Sequence, residues 1–156
     1  MIEFMLLAAP RSATAWCANW LTTDETLCLH EPLYTQTHEQ LDARPGRIGI
    51  ACTVTPLLNM NRHPARKVVL HRDPKEVRES MARLGIPGDY DFNALDNIEG
   101  RHHDWREVFD NPRGIYEYLL QQPFDEDRHA SLRGLNVQNT HLIQSLQMGA
   151  YAPRHA

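Results

Sequence analysis

The sequence predicts an α/β fold in three layers, a small parallel sheet flanked by helices, with a helical C-terminal half and a single domain over residues 1–156. Three observations lead there. Short apolar runs alternate with helix-like segments through residues 1–84. Strands separated by helices pair in parallel through crossover connections. From Ile115 onward, apolar residues recur at helical spacing instead.

The first element is "IEFMLLAA" (Ile2 to Ala9), a continuous apolar run expected of a buried strand. Ala13 to Leu21 reads as a helix with Ala13, Trp16, Cys17, Trp20 and Leu21 on one face. "TLCLHEPL" gives a second strand ended by Pro32, and "RIGIAC" a third after the Arg44-Pro45-Gly46 turn. "ARKVVLHR" gives a fourth, followed by Asp73 and Pro74 at the start of a helix running to about Leu84. Val77, Met81 and Leu84 form its core stripe, and Gly85, Pro87 and Gly88 break the chain. Beyond that point Ile115, Tyr118 and Leu119 make one helical stripe, and Leu142, Ile143 and Leu146 another.

Composition narrows the function. Apolar content of 42% and charged content of 23% are those of a soluble globular protein. No stretch approaches the ~20 apolar residues that span a bilayer, and Glu3 stands where a signal peptide would carry a basic flank. The expectation is a cytoplasmic protein with no membrane partner. Three cysteines (Cys17, Cys28, Cys52) predict reduced thiols rather than a disulfide framework. Residues 44–83 hold nine Lys or Arg against three acids, whereas residues 1–43 hold one Arg against six. That asymmetry argues against a nucleic-acid-coating protein and for one confined anion site.

Two loops are candidates for it, both at strand ends, where ligands sit in parallel sheets. In "AAPRSATAW" (Ala8 to Trp16), a loop entering a helix offers backbone N–H groups and the positive end of the helix dipole. Ser12 and Thr14 add hydroxyls and Arg11 a charge; alternatively, Ser12 or Thr14 merely caps the helix. The GxxxxGK[ST] pattern is absent, so an ordinary P-loop triphosphatase is not expected. In "VVLHRDPKEVRESMARLG", Arg72 ends a strand and Ser80 lies beside the apolar stripe, where its hydroxyl needs a partner. That partner is either the backbone carbonyl one turn back or an anion shared with Arg72.

Taken together, these stretches resemble the sulfotransferases that use 3′-phosphoadenosine 5′-phosphosulfate. "PRSATAW" is similar to their 5′-phosphosulfate loop, and "HRDPKEVRES", with Arg72 eight residues before Ser80, to their 3′-phosphate segment. "HEPLY" (His30 to Tyr34) resembles the Glu-Pro-Leu-Tyr stretch of the carbohydrate branch, and "DNPRGIYEYLL" a late segment before a closing helix. The resemblance covers residues 1–84 well and 108–122 loosely. It implies a P-loop-like fold, the nucleotide as sulfuryl donor, a small hydroxyl acceptor, and no metal.

By that resemblance Arg11, with the backbone N–H groups of Ser12, Ala13, Thr14, Ala15 and Trp16, would hold the 5′-phosphate and stabilise the leaving group. Arg72 and Ser80 would hold the 3′-phosphate. Trp16 would either pack near the adenine or belong to the core with Trp20. Glu31 is the expected general base and His30 the second choice, strand alternation letting only one of them face the site. Ala13 stands where the family has glycine, so its backbone must avoid positive φ or tolerate strain. Ala15 replaces a hydroxyl residue, Val54 in "CTVTP" stands where the cytosolic branch has its histidine, and no Arg-Lys-Gly closing segment is found. Two other functions therefore accompany the transferase: a degenerate nucleotide-binding or scaffold protein, and a small P-loop kinase, against which the missing lysine counts. "RHHDW" (Arg101 to Trp105) is expected to be a solvated loop rather than a metal site. The "HRD" at His71 to Asp73 lacks the rest of a kinase catalytic loop.

Overall fold

A computed structural model describes residues 1–54 and 59–135. The stripe at Leu142, Ile143 and Leu146, and the end of "CTVTP" at Thr55 and Pro56, lie outside the described residues. Strand β1 (Ile2–Ala8) leads to helix α1 (Thr14–Trp20), then to β2 (Thr26–His30), a 3-10 turn (Pro32–Tyr34), α2 (His38–Asp42) and β3 (Arg47–Thr53). Strand β4 (Arg66–His71) and helix α3 (Pro74–Arg83) follow, then α4 (Asn93–Asp96), β5 (Arg101–Asp104), α5 (Glu107–Asp110), α6 (Arg113–Leu120) and α7 (Glu126–Arg133).

The five strands form one parallel sheet in the order β2-β3-β1-β4-β5. β1 is central and buried on both faces, which is why it reads as unbroken apolar sequence rather than alternation. Its even-numbered side chains from Phe4 to Ala8 pack with Trp16, Trp20, Val108, Ile115 and Leu119 under α1, α5 and α6. Ile2, Met5 and Leu7 meet Leu41, Val77, Met81 and Leu95 from α2, α3 and α4 on the other face. Beside Phe4, β3 carries Gly49; a Cβ there would stand 2.0 Å from the Phe4 ring, so only glycine fits.

Several expectations are corrected. "RHHDW" is not a loop: Arg101 to Asp104 pair with β4, so the C-terminal half is not wholly helical. Four residues at the sheet edge, largely exposed, carry no apolar alternation by which to recognise a strand. Leu84 is not core. It caps the end of α3 and is 57% exposed, because Gly85 at φ 65 turns the chain away from the sheet. Tyr118 lies on the flank of α6 under the Arg101 guanidinium (3.8 Å to the ring centre), and Tyr116 and Leu120 complete the buried face with Ile115 and Leu119. α2 escaped the apolar reading, although Thr37 and Gln40 make a capping box visible in "THEQ".

The basic excess of residues 44–83 is not one patch either. Arg47 and Arg66, at the amino ends of β3 and β4, bind Glu3 and the carbonyls at the end of α6. Arg66 lies six residues before Arg72, roughly 20 Å along the strand direction at ~3.3 Å per residue, and Arg47 lies farther still. All three cysteines are free and buried. Among the described residues, no helix is long and apolar enough to cross a membrane.

Candidate functional site at the carboxyl ends of β1 and β4

The crossover leaving β1 runs through α1 towards β2, and the one leaving β4 runs through α3 towards β5, on the opposite side. The two adjacent strands therefore send their chains apart, opening a crevice at their carboxyl ends, the usual ligand position in open parallel sheets. Both candidate loops border it.

The β1–α1 loop has an unusual backbone. Arg11 (φ 63) and Ala13 (φ 65) both adopt the left-handed conformation, and Ala13 leads into α1 with no side-chain cap. The question over Ala13 is thus resolved towards strain, on the order of 1–2 kcal/mol for a residue with a Cβ. The β4–α3 loop is conventional. Asp73 accepts hydrogen bonds from the backbone N–H groups of Lys75 and Glu76, and Pro74 opens the helix.

Side chains join the loops. Arg11 Nε donates to Ser80 Oγ (3.2 Å), and Arg72 Nη1 donates to the Arg11 carbonyl. Ser80 therefore meets Arg11 rather than Arg72, neither of the two partners expected for it. Arg72 Nε donates to Glu76 Oε2 (3.1 Å), whose other oxygen accepts from Arg106 (2.7 Å), and the Arg72 guanidinium lies 4.4 Å over the Trp105 ring. Burial first, then the like charges of Arg72 and Arg83, holds the Arg11 guanidinium below its ordinary pKa. Arg11 and Arg72, from two loops, thus meet at one crevice.

A second group lies beyond the loop, at the ends of β2 and β3. Thr14 Oγ1 is 3.2 Å from His30 Nε2, which is 3.8 Å from Glu31 Oε1. Glu31 leaves the strand with φ 51, which swings its carboxylate back beside His30; alternation does not separate the two as expected. Glu31 Oε1 accepts from both the backbone N–H (2.8 Å) and the hydroxyl (2.7 Å) of Thr53. Burial raises the Glu31 carboxyl above its ordinary value, partly opposed by those bonds. Burial also takes His30 down to about 4, so it is neutral at pH 7. The Tyr90 hydroxyl, within electrostatic reach of Glu31 and Tyr34, is buried without a hydrogen-bond partner among the described residues.

The remaining predicted residues are structural in their contacts. Ser12 is fully buried, and its hydroxyl turns back to the Pro10 carbonyl at 3.5 Å. Ala15 is buried. Trp16 is 5% exposed, packs at a tilt against the rings of Trp20 and Phe109, and donates its indole N–H to the Leu132 carbonyl (2.9 Å). Of its two expected places, this is the core. Thr53, Glu76 and Arg106 are not among the residues the sequence points to, and Trp105 belongs to the "RHHDW" stretch read as a solvated loop. Glu76 stands four residues after Arg72, in the first turn of α3. Thr53 and Trp105 reach the site only through sheet pairing, which leaves no local signal. His71 of β4 and His102 of β5, which pair with Asp104 and Val69 respectively, share a diagonal 2.7 Å hydrogen bond. The chain matches no protein-family model and no curated protein.

Proposed function

We propose that the chain is a P-loop-like sulfotransferase, moving a sulfuryl group from 3′-phosphoadenosine 5′-phosphosulfate to a hydroxyl acceptor. The observation that carries this reading is the crevice bordered by both loops, where Arg11 donates to Ser80, Arg72 donates to the Arg11 carbonyl, and Arg83 is in electrostatic reach of Arg11. Glu76 balances Arg72 and Arg106, and the like charges around Arg11 favour a further anion there. A donor with phosphate at both its 3′ and 5′ positions suits arginines contributed by two separate loops, each able to make bidentate contacts.

The division of labour follows from position. Arg11, in the β1–α1 loop, would hold the 5′ end and stabilise charge on the departing phosphate oxygen. Arg72 and the α3 segment carrying Ser80 would hold the 3′-phosphate, which ATP lacks. Glu31, with its carboxyl raised by burial, would take the acceptor's proton as that oxygen bonds sulfur and the sulfur–oxygen bond to the phosphate breaks. Activity should then fall with decreasing pH as Glu31 protonates, at a pH above its ordinary value because burial raises it.

A second reading, nucleotide binding without turnover, is favoured by one observation: Glu31 Oε1 already accepts two hydrogen bonds from Thr53. Incubating the protein with the donor and a panel of sugar, phenol and alcohol acceptors separates the two. Release of 3′-phosphoadenosine 5′-phosphate in step with sulfated acceptor, lost in Glu31→Gln, supports the transferase. Donor binding without product supports the second reading, and binding of ATP in preference points to a kinase instead.

A further inference from the structure

The buried link between the β1–α1 loop and β2 leads further, on the reading that the loop holds an anion. His30 is 9% exposed, with Nε2 3.2 Å from Thr14 Oγ1 and 3.8 Å from Glu31 Oε1; its Nδ1 is buried without a hydrogen-bond partner among the described residues. A neutral imidazole carries its proton on one nitrogen only, and that position follows from the neighbours.

Two independent considerations place it on Nε2. A proton on Nδ1 would leave a buried N–H donor unsatisfied, which is rarer and costlier than an unused acceptor lone pair. It would also turn the Nε2 lone pair towards the Glu31 carboxylate. With the proton on Nε2, both difficulties disappear, and Thr14 Oγ1 becomes the acceptor of the His30–Thr14 bond. The hydroxyl's own proton is then directed away from His30. Thr14 opens α1, immediately after the loop that carries Arg11.

We propose that His30 is a positioning residue rather than a base: by donating Nε2–H to Thr14, it frees the Thr14 hydroxyl proton for the anion bound at the β1–α1 loop. This rests on the anion reading of the loop and assigns Thr14 a donor role towards the 5′ end of the nucleotide. It also removes His30 from competition with Glu31 for the acceptor's proton, since its nitrogen nearest the site already carries one.

A long-range 1H–15N spectrum of the free wild-type protein reads the tautomer without any variant. The expected pattern is a protonated Nε2 and an unprotonated Nδ1. Thr14→Val and His30→Phe should each weaken binding of 3′-phosphoadenosine 5′-phosphate about tenfold, the loss of one hydrogen bond to a charged group. The double variant should be no weaker than either single one, because each removes the same donor. His30→Gln, whose amide N–H can replace Nε2–H, should restore most of the affinity. A proton on Nδ1, or losses that add in the double variant, overturns the inference while leaving the nucleotide reading intact. Failure of the wild type to bind the bisphosphate overturns both, whatever the tautomer.

Discussion

The two loops that border the crevice solve the same problem in opposite ways. The β4–α3 loop satisfies itself locally: Asp73 caps two N–H groups of α3, Pro74 starts it, and the backbone is relaxed. The β1–α1 loop does not. Two residues with side chains sit at positive φ, and the first turn of α1 has no side-chain cap. Strain and unmet local hydrogen bonding of this kind persist only where surrounding structure holds them, and they gather at ligand sites. What holds α1 is its packing, through Trp16 and Trp20, against the sheet, α6 and α7. One loop is stable by design of its own sequence; the other is imposed by the core and left open towards the crevice.

That contrast can be broken first at Trp16. Trp16→Ala removes a buried ring and the bond to Leu132, and should cost about 3–5 kcal/mol in chemical denaturation. A loss under 1 kcal/mol would mean that α1 is not held by the core. The next largest effect is a pH dependence centred on His30. Its pKa is about 4 in the folded protein against 6.5 ordinarily. Above pH 6.5 both states are neutral. As pH falls below 6.5 the unfolded chain binds the proton first, so stability declines until about pH 4, by up to roughly 3 kcal/mol. His30→Gln should flatten that part of the stability profile, and an unchanged profile would show His30 to be solvated.

Smaller effects separate the caps. Asp73→Ala should destabilise by about 1 kcal/mol, with the loss confined to the start of α3 in hydrogen exchange. Ala13→Gly relieves a left-handed residue and should stabilise by about 0.5–1 kcal/mol after the extra entropy of the unfolded chain is counted. Destabilisation by Ala13→Gly would show that the β1–α1 loop is not strained, and the contrast between the loops would disappear.

The parts of this molecule legible in its sequence are those whose causes are local. β1, β3 and β4 are apolar because they are buried, and Asp73-Pro74 marks a helix start by its own chemistry. Both loops were placed correctly at strand ends. What remained hidden depends on pairing across the sheet. β5 is recognisable only beside β4, Thr53 meets Glu31 only because β2 and β3 run in register, and Ser80 meets Arg11 across the crevice. The dispersal of the basic residues has the same origin: Arg66 and Arg72, six residues apart, lie at opposite ends of the same strand.

The central claim is that the crevice between β1 and β4 holds a nucleotide with phosphates at its 3′ and 5′ ends. Thermal unfolding with 3′-phosphoadenosine 5′-phosphate, beside ADP and ATP, tests it most directly, in the wild type and in Arg72→Ala. At ~100 times its dissociation constant the ligand should add about 2.7 kcal/mol, a rise of several degrees in Tm. The account predicts that rise for the bisphosphate alone and its loss in Arg72→Ala. An equal rise with ATP, or one that survives Arg72→Ala, would contradict it.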